Sequence, residues 1–369
     1  MQAYYQIDSS ISSPYITDNS MTAWTEILHS TKNKTLRGYR LWLNETAYDQ
    51  QAWDIAPAHS VQYYEEQHAR YIREKYDYVR VSYSGGSDSF SIVESFLRAG
   101  QKIDEIIMWV NPTVSVSNEA NEVWVSEKLE ILNKVFKKFN VDLPLVSFFK
   151  PELSDAQSHF SKKYYLTGAG YLGQGTFNYN QLTKVVSRFP VPQGISYATV
   201  CGLEKPRMIV EQGKVYFTMV DKTIMTGVDN QTSHMEWFYL NDHTTDLVAA
   251  QMWAVLKYGM IHHQHDLGRF VQQIQNNTKN YHLWCTLLGR TSNYYQNIFS
   301  LTSKPSDFNK SYTHVQESKN QNLSSWVNFQ DFLNTNQAIS RELFLRDEFL
   351  PGILTKKYYL CDTSPELTA

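Results

Sequence analysis

Three cysteines in 369 residues, Cys201, Cys285 and Cys361, stand far apart and in no Cys-x-x-Cys pair. That scarcity argues against a disulfide scaffold, a zinc ribbon and a cysteine-held iron–sulfur cluster, and it fits a reducing compartment. Long apolar runs are missing as well. None approaches the ~20 residues of a membrane span, and Met1–Gln6 has neither the basic start nor the apolar core of an export signal. A cytoplasmic chain without membrane attachment is the expectation. An excess of either charge is also lacking, since 34 Lys and Arg face 37 Asp and Glu for a net of −3. No basic field is available for sequence-independent nucleic-acid binding, so nucleic acid enters only as a substrate class.

What is present is one stretch with a clear physical reading. In Tyr78-Val79-Arg80-Val81-Ser82-Tyr83 the apolar residues alternate as in a buried strand, and Ser84-Gly85-Gly86-Ser87-Asp88-Ser89 follows at once. Gly85 and Gly86 permit a sharp turn and a close backbone approach, and Asp88 and Ser89 stand where a helix begins. Ile92, Val93, Phe96 and Leu97 then fall at helical core spacing. Free N–H groups and the positive end of that helix would face an anion in the turn. No Gly-Lys-Ser/Thr follows the glycines, so the lysine that a Walker loop aims at terminal phosphates is missing. Gly-x-Gly-x-x-Gly does not occur here either, which weakens a dinucleotide reading.

Ile103–Val110 reads as a second buried strand, Glu119–Asn140 as a long helix and Leu143–Phe149 as a third strand. Two strand–helix–strand repeats in succession predict an α/β fold with a doubly wound, mostly parallel sheet. Three regions are expected: a helical extension over 1–75, a nucleotide-binding domain over 76–260 and a helical region over 261–369. Arg37 and Arg40, three apart, are read as an anion pair or, more simply, as the solvated face of an N-terminal helix; a second helix is expected near Met21–His29. Asn111, after the second strand, is a candidate adenine or ribose contact or a turn residue before Pro112. The glycine- and tyrosine-rich 161–175 stretch is read as a substrate-covering loop.

Ile195–Cys201 gives a further strand, ending in Gly202-Leu203-Glu204-Lys205-Pro206-Arg207. Charged groups just past a buried strand suit a polyphosphate and its Mg²⁺, with Lys205 and Arg207 neutralising oxygens and Glu204 facing the metal or a ribose hydroxyl; the alternative is a solvated turn. Met208–Glu211 and Lys214–Val220 flank Gln212-Gly213 as a hairpin. Asp242-His243 and His262-His263-Gln264-His265 are better explained as a helix cap and a surface turn than as metal ligands.

Ser84–Ser89 resembles the SGGxDS loop of the PP-loop ATP pyrophosphatase superfamily, which includes phosphoadenosine phosphosulfate (PAPS) reductases, tRNA-thiolation enzymes, asparagine synthetases and GMP synthetases. Such a hexapeptide arises by chance in roughly one chain in a thousand of this length. Gly202-Leu203 is similar to the Gly-Ile/Leu-Arg of PAPS reductases, departing at Glu204 where that family has arginine. The resemblance implies the adenine-nucleotide α-hydrolase fold in its PAPS reductase-like branch. It implies ATP and Mg²⁺ as cofactors, adenylyl transfer to an unidentified acceptor with pyrophosphate release, and a sulfur or nitrogen donor from solution or a partner. Ser84, Gly85, Gly86, Ser87, Asp88, Ser89, Asn111, Gly202 and Glu204 would bind nucleotide, Asp88, Lys205 and Arg207 would act in catalysis, and Asp88 would also hold Mg²⁺. An acidic residue early in the third helix, Glu119 or Glu122, would join them. The alternatives are thiol-dependent PAPS reduction by Cys361, which lacks the Glu-Cys-Gly-Leu-His setting of true reductases, and a nucleotide-binding protein without turnover.

Overall fold

The computed structural model describes residues 3–9, 15–17, 36–43, 45–109, 118–149, 188–191, 193–202, 206–221, 235–263, 266–276, 281–290 and 353–363. The chain opens on an antiparallel sheet of β1 (Ala3–Ser9), β2 (Tyr15–Thr17) and β3 (Leu36–Leu43) in the order β2-β1-β3. The 1–75 region, expected as a helical extension, thus opens on a sheet before its helices. Tyr39, Leu41 and Leu43 recur with period two, the strand period, and stand in register with Ile7, Tyr5 and Ala3. Arg37 and Arg40, read as a helical pair, therefore lie on a strand. The helix expected near Met21–His29 falls outside the described residues.

Helices α1 (Glu45–Gln50) and α2 (Val61–Lys75) follow. Ser60 caps α2 by accepting the Tyr63 N–H at 3.2 Å. Glu65, His68, Ala69 and Ile72 form its buried stripe at i, i+3, i+4 and i+7. The chain then runs β4 (Tyr78–Tyr83), α3 (Ser87–Arg98), β5 (Glu105–Trp109), α4 (Asn118–Lys138), β6 (Leu145–Phe149) and β7 (Tyr197–Cys201). After it come β8 (Arg207–Glu211), β9 (Lys214–Thr218), β10 (Val220–Asp221) and β11 (Met235–Trp237). Helices α5 (Thr245–His262), α6 (Leu267–Asn276) and α7 (Tyr281–Leu287) are followed by β12 (Ile353–Leu354) and β13 (Tyr358–Asp362).

Five strands form one sheet in the order β11-β7-β4-β5-β6, and every pairing in it is parallel. The α/β arrangement expected from the alternating elements is therefore present. Val79, Val81 and Tyr83 of β4, with Ile106, Met108, Ala198 and Val200, pack against Ile72 of α2, Phe90, Val93 and Phe96 of α3, and Leu132 and Val135 of α4. The alternate residues bury charge: Arg80 lies 3.7 Å from Glu105, which also accepts from Tyr78 and Ser147.

A second core is built on the β13-β9-β8 sheet and the helices α5, α6 and α7. The expected hairpin is there, and Gln212 and Gly213 both take positive φ (49° and 75°), the geometry of a two-residue turn that matches strand twist. Within 261–369, expected as a helical region, α6 and α7 are followed by β13, which adds to the free edge of β9. A register shift between Tyr359 and Cys361 accompanies the burial of both Leu360 and Cys361. Among the described residues no helix is long and apolar enough to cross a membrane.

His68 is buried between the rings of Tyr71 and Phe238, and neither ring nitrogen has a hydrogen-bond partner among the described residues. Burial, with His243 and Lys75 as further positive neighbours, lowers its pKa to about 3. The folded state thus holds the neutral ring while the unfolded chain takes up a proton. That stability is fully present above the ordinary histidine range and is lost as pH falls towards 3. His68→Phe should remove this dependence. Wild type should lose unfolding free energy relative to the variant on acidification from pH 7 to 4, by up to about 1.4 kcal/mol per pH unit. Parallel pH profiles in urea titrations of the two proteins would refute it.

Candidate functional site

The chain steps from β4 outward to β5 and β6, then returns to pair β7 with the other side of β4. The direction of winding therefore reverses between β4 and β7. In open parallel sheets the crevice outside the carboxyl ends of two such strands is where ligands bind. The Ser84–Ser89 turn leaves β4 at that edge, and Gly202 leaves β7 beside it. A side chain on Gly202 would place its Cβ 2.8 Å from Ile92, 3.0 Å from Tyr239 and 3.4 Å from the Asp88 carbonyl oxygen. Two motifs more than a hundred residues apart in sequence thus meet, with glycine at the closest point of approach.

Gly85 sits at φ 74°, in the left-handed region, and Gly86 at φ −85° and ψ 168° precedes the first turn of α3. No side chain caps that helix. Its first-turn amides consequently face the turn without an intrahelical partner, beside the positive end of the helix dipole. The serines brace the turn. Ser89 Oγ accepts the Ser84 N–H at 3.2 Å and donates to the Gly86 carbonyl at 3.1 Å, while Ser84 Oγ accepts the Gly86 N–H at 3.3 Å. The hydroxyls of Ser84 and Ser89 lie 3.3 Å apart. Ser87, half-buried, starts α3.

Three residues that sequence reasoning missed complete the setting. Lys128, buried on α4, donates from Nζ to the Gly85 carbonyl at 2.6 Å. Its aliphatic stem occupies the space a Gly85 side chain would need, at 2.5 Å from the ideal Cβ. Tyr239 donates its hydroxyl to the Asp88 carbonyl at 3.1 Å. Arg290, fully buried, stacks on Tyr239 and places Nη1 3.5 Å from Asp88 Oδ1. Nearby, Arg98 contacts Glu65, Glu66 and Glu94, at 2.9, 3.2 and 3.2 Å. Burial pushes the Glu65 carboxyl up to about 8, against the pull of Arg98 and then Arg290.

Lys128 was readable, since it stands on the same stripe as Val125, Leu129 and Leu132 and is a lone cation among apolar residues. Arg290 carried no local signal. Of the other expected residues, Arg207 begins β8, half-buried, while Asn111, Glu204 and Lys205 lie outside the described residues, as does the 161–175 stretch. Glu119 and Glu122 fall in the first two turns of α4. The described residues contain no group of three His, Cys, Asp or Glu that could hold a metal ion. Asp242 and His243 form an exposed pair 3.4 Å apart, and His263 stacks on Phe270. Cys201 and Cys361 are buried in the second core, where desolvation raises their thiols to about 12 and about 11.

The two glycines of the turn should respond differently to a methyl group. Gly85→Ala meets both a left-handed backbone and the Lys128 stem, and should cost roughly 1–3 kcal/mol. Gly86→Ala meets only Ser84 Oγ at 3.5 Å, an ordinary contact, and should leave stability nearly unchanged. Equal losses in thermal or urea unfolding would contradict this geometry.

Compared with models of known protein families, the chain matches none, and no curated protein matches it; the reading of this site rests on its residues and their arrangement.

Proposed function

We propose that this chain is a PP-loop nucleotide-binding protein of the adenine-nucleotide α-hydrolase type, doubly wound about its parallel sheet. It binds ATP and transfers the adenylyl group to an acceptor. The observation that carries the reading is a coincidence of motif and topology: the Ser84–Ser89 turn lies at the carboxyl edge of a sheet ordered β11-β7-β4-β5-β6, where the winding reverses. Gly202, the other wall named by the resemblance, abuts the first turn of α3.

In this reading the pyrophosphate portion of ATP lies against the N-terminus of α3, with the positive charge of Lys128 beneath the turn. An acceptor oxygen attacks the α-phosphorus. The new O–P bond forms as the bond from the α-phosphorus to the bridging oxygen breaks, and pyrophosphate leaves with that electron pair. The acceptor's proton passes to solvent or to a base on the acceptor's side. Main-chain donors and Lys128 stabilise the charge that develops on the leaving group. The adenylylated acceptor is then open to a sulfur or nitrogen nucleophile. The described residues do not fit a protein-held Mg²⁺ site, because Asp88 faces Arg290 and no acidic cluster stands beside it, so no step is routed through the metal. Thiol-dependent reduction draws no support from Cys361, which is packed in the second core as the protonated thiol.

The test is pyrophosphate release from ATP and Mg²⁺ across a panel of acceptors, with nucleotide affinity measured in parallel. Release is expected, and Lys128→Met should weaken ATP binding by about ten-fold. Binding without release with any acceptor would favour the non-catalytic alternative. No measurable affinity for ATP or pyrophosphate would end the proposal.

A further inference from the structure

Arg290 is far from the turn in sequence and against it in space. It follows α7 in a turn closed by the Gly289 N–H on the Thr286 carbonyl at 3.0 Å and the Arg290 N–H on the Cys285 carbonyl at 2.8 Å. Two other helices press on that turn. Gly289, at φ 72°, leaves no room for a side chain, whose Cβ would lie 2.6 Å from Val61 and 2.9 Å from Glu65 of α2. From α5, Gln251 Nε2 donates to the Leu288 carbonyl at 2.8 Å. The guanidinium is thereby delivered to a fixed place, with its Cζ 3.1 Å from the centre of the Tyr239 ring and Nη1 3.5 Å from Asp88 Oδ1. Tyr239 meanwhile holds the Asp88 carbonyl through its hydroxyl. Asp88 has its carboxylate in ion-pair range of the arginine and its carbonyl hydrogen-bonded by the tyrosine on which that arginine stacks.

Asp88 is the only carboxylate in the Ser84–Ser89 turn. Its charge suits the start of a helix, but the same charge repels an anion that would occupy the turn. We infer that Arg290 is a positioning residue for the nucleotide site: it neutralises and fixes Asp88, and so makes anion binding at the turn conditional on the docking of the 281–290 segment. This rests on the nucleotide reading above and adds a device to it. The segment after the parallel sheet becomes a requirement for phosphate binding, although it supplies no contact to the phosphate itself. With the segment docked, the turn presents a net positive field to pyrophosphate. With Arg290 withdrawn, that positive charge beside the Asp88 carboxylate is lost.

The experiment measures inorganic pyrophosphate affinity by calorimetry, without divalent cation, for the full chain and for Arg290→Met, Arg290→Lys, Asp88→Asn and the double variant Asp88→Asn/Arg290→Met, each checked for folding by circular dichroism. Arg290→Met should weaken binding about ten-fold, and Arg290→Lys, which keeps the charge, should restore most of it. The double variant should bind within a few-fold of wild type, because the charge being neutralised is gone. Asp88→Asn alone should bind pyrophosphate more tightly than wild type. A purely structural role for either residue would not tighten binding, and this gain can be read even if Arg290→Met fails to fold. Tighter binding by Asp88→Asn together with rescue in the foldable double variant supports the inference. If wild type binds pyrophosphate but Asp88→Asn binds it no better, or the double variant stays as weak as Arg290→Met, the neutralising role is overturned and the nucleotide reading survives. If wild type binds neither pyrophosphate nor ATP, both fall.

Discussion

The stem of Lys128 fills the space that Gly85 leaves, and this contact determines the shape of the turn between β4 and α3. A left-handed residue there redirects the chain within two positions, so α3 can start directly beyond the sheet edge with its first amides towards the crevice. The lysine closes the arrangement from below by tying its ammonium to the Gly85 carbonyl. Neither half works alone: a side chain on residue 85 would displace the stem, and without the stem a buried carbonyl would lose its donor.

Charge buried around this point follows one logic with two outcomes. Arg80 and Glu105 face each other within the sheet, on adjacent central strands, with tyrosine and serine hydroxyls serving the carboxylate. Arg290 and Asp88 face each other at the sheet's carboxyl edge, where Asp88 keeps partial exposure. Removing one member of a buried pair commonly costs about 3–5 kcal/mol, while the intact pair adds little over well-packed apolar residues. Stability therefore does not by itself account for placing such a pair beside the turn. In the proposed reading the pair sets the local field there.

The second core gives Arg290 its fixed position. Trp53 packs edge-on against Phe217, and its carbonyl accepts the Trp253 indole N–H, which joins the stretch after α1 to the hairpin and to α5. Thr355 binds Thr218 and Met219, so the last described segment closes over β9 before β13 pairs with it. Helix α6 packs closely on α5 at Gly259, where Leu267 and Phe270 take the room a side chain would need. The turn that presents Arg290 is thus carried by a frame drawn from both ends of the chain.

Local chemistry was enough to read the strand, turn and helix of Tyr78–Leu97, because alternation, two glycines and helical spacing are each written in consecutive residues. The same holds for the parallel repeats through Phe149, where strands and helices alternate at the lengths a right-handed crossover needs, and for the Gln212-Gly213 hairpin. The two outer segments were read less well: Leu36–Leu43 carries a strand-like period of two that a helical reading overlooked, and Tyr358–Asp362 becomes a strand through β9, far along the chain. Which charges meet at the turn lay beyond any local signal. Lys128 left a trace as a cation in an apolar stripe, but Arg290 reaches Asp88 only after α7 docks on α2 and α5. Sequence by itself settled where the backbone can bend and where a helix can begin; tertiary packing decided which distant side chains set the field there, because an electrostatic contact depends on separation in space and dielectric, not on separation along the chain.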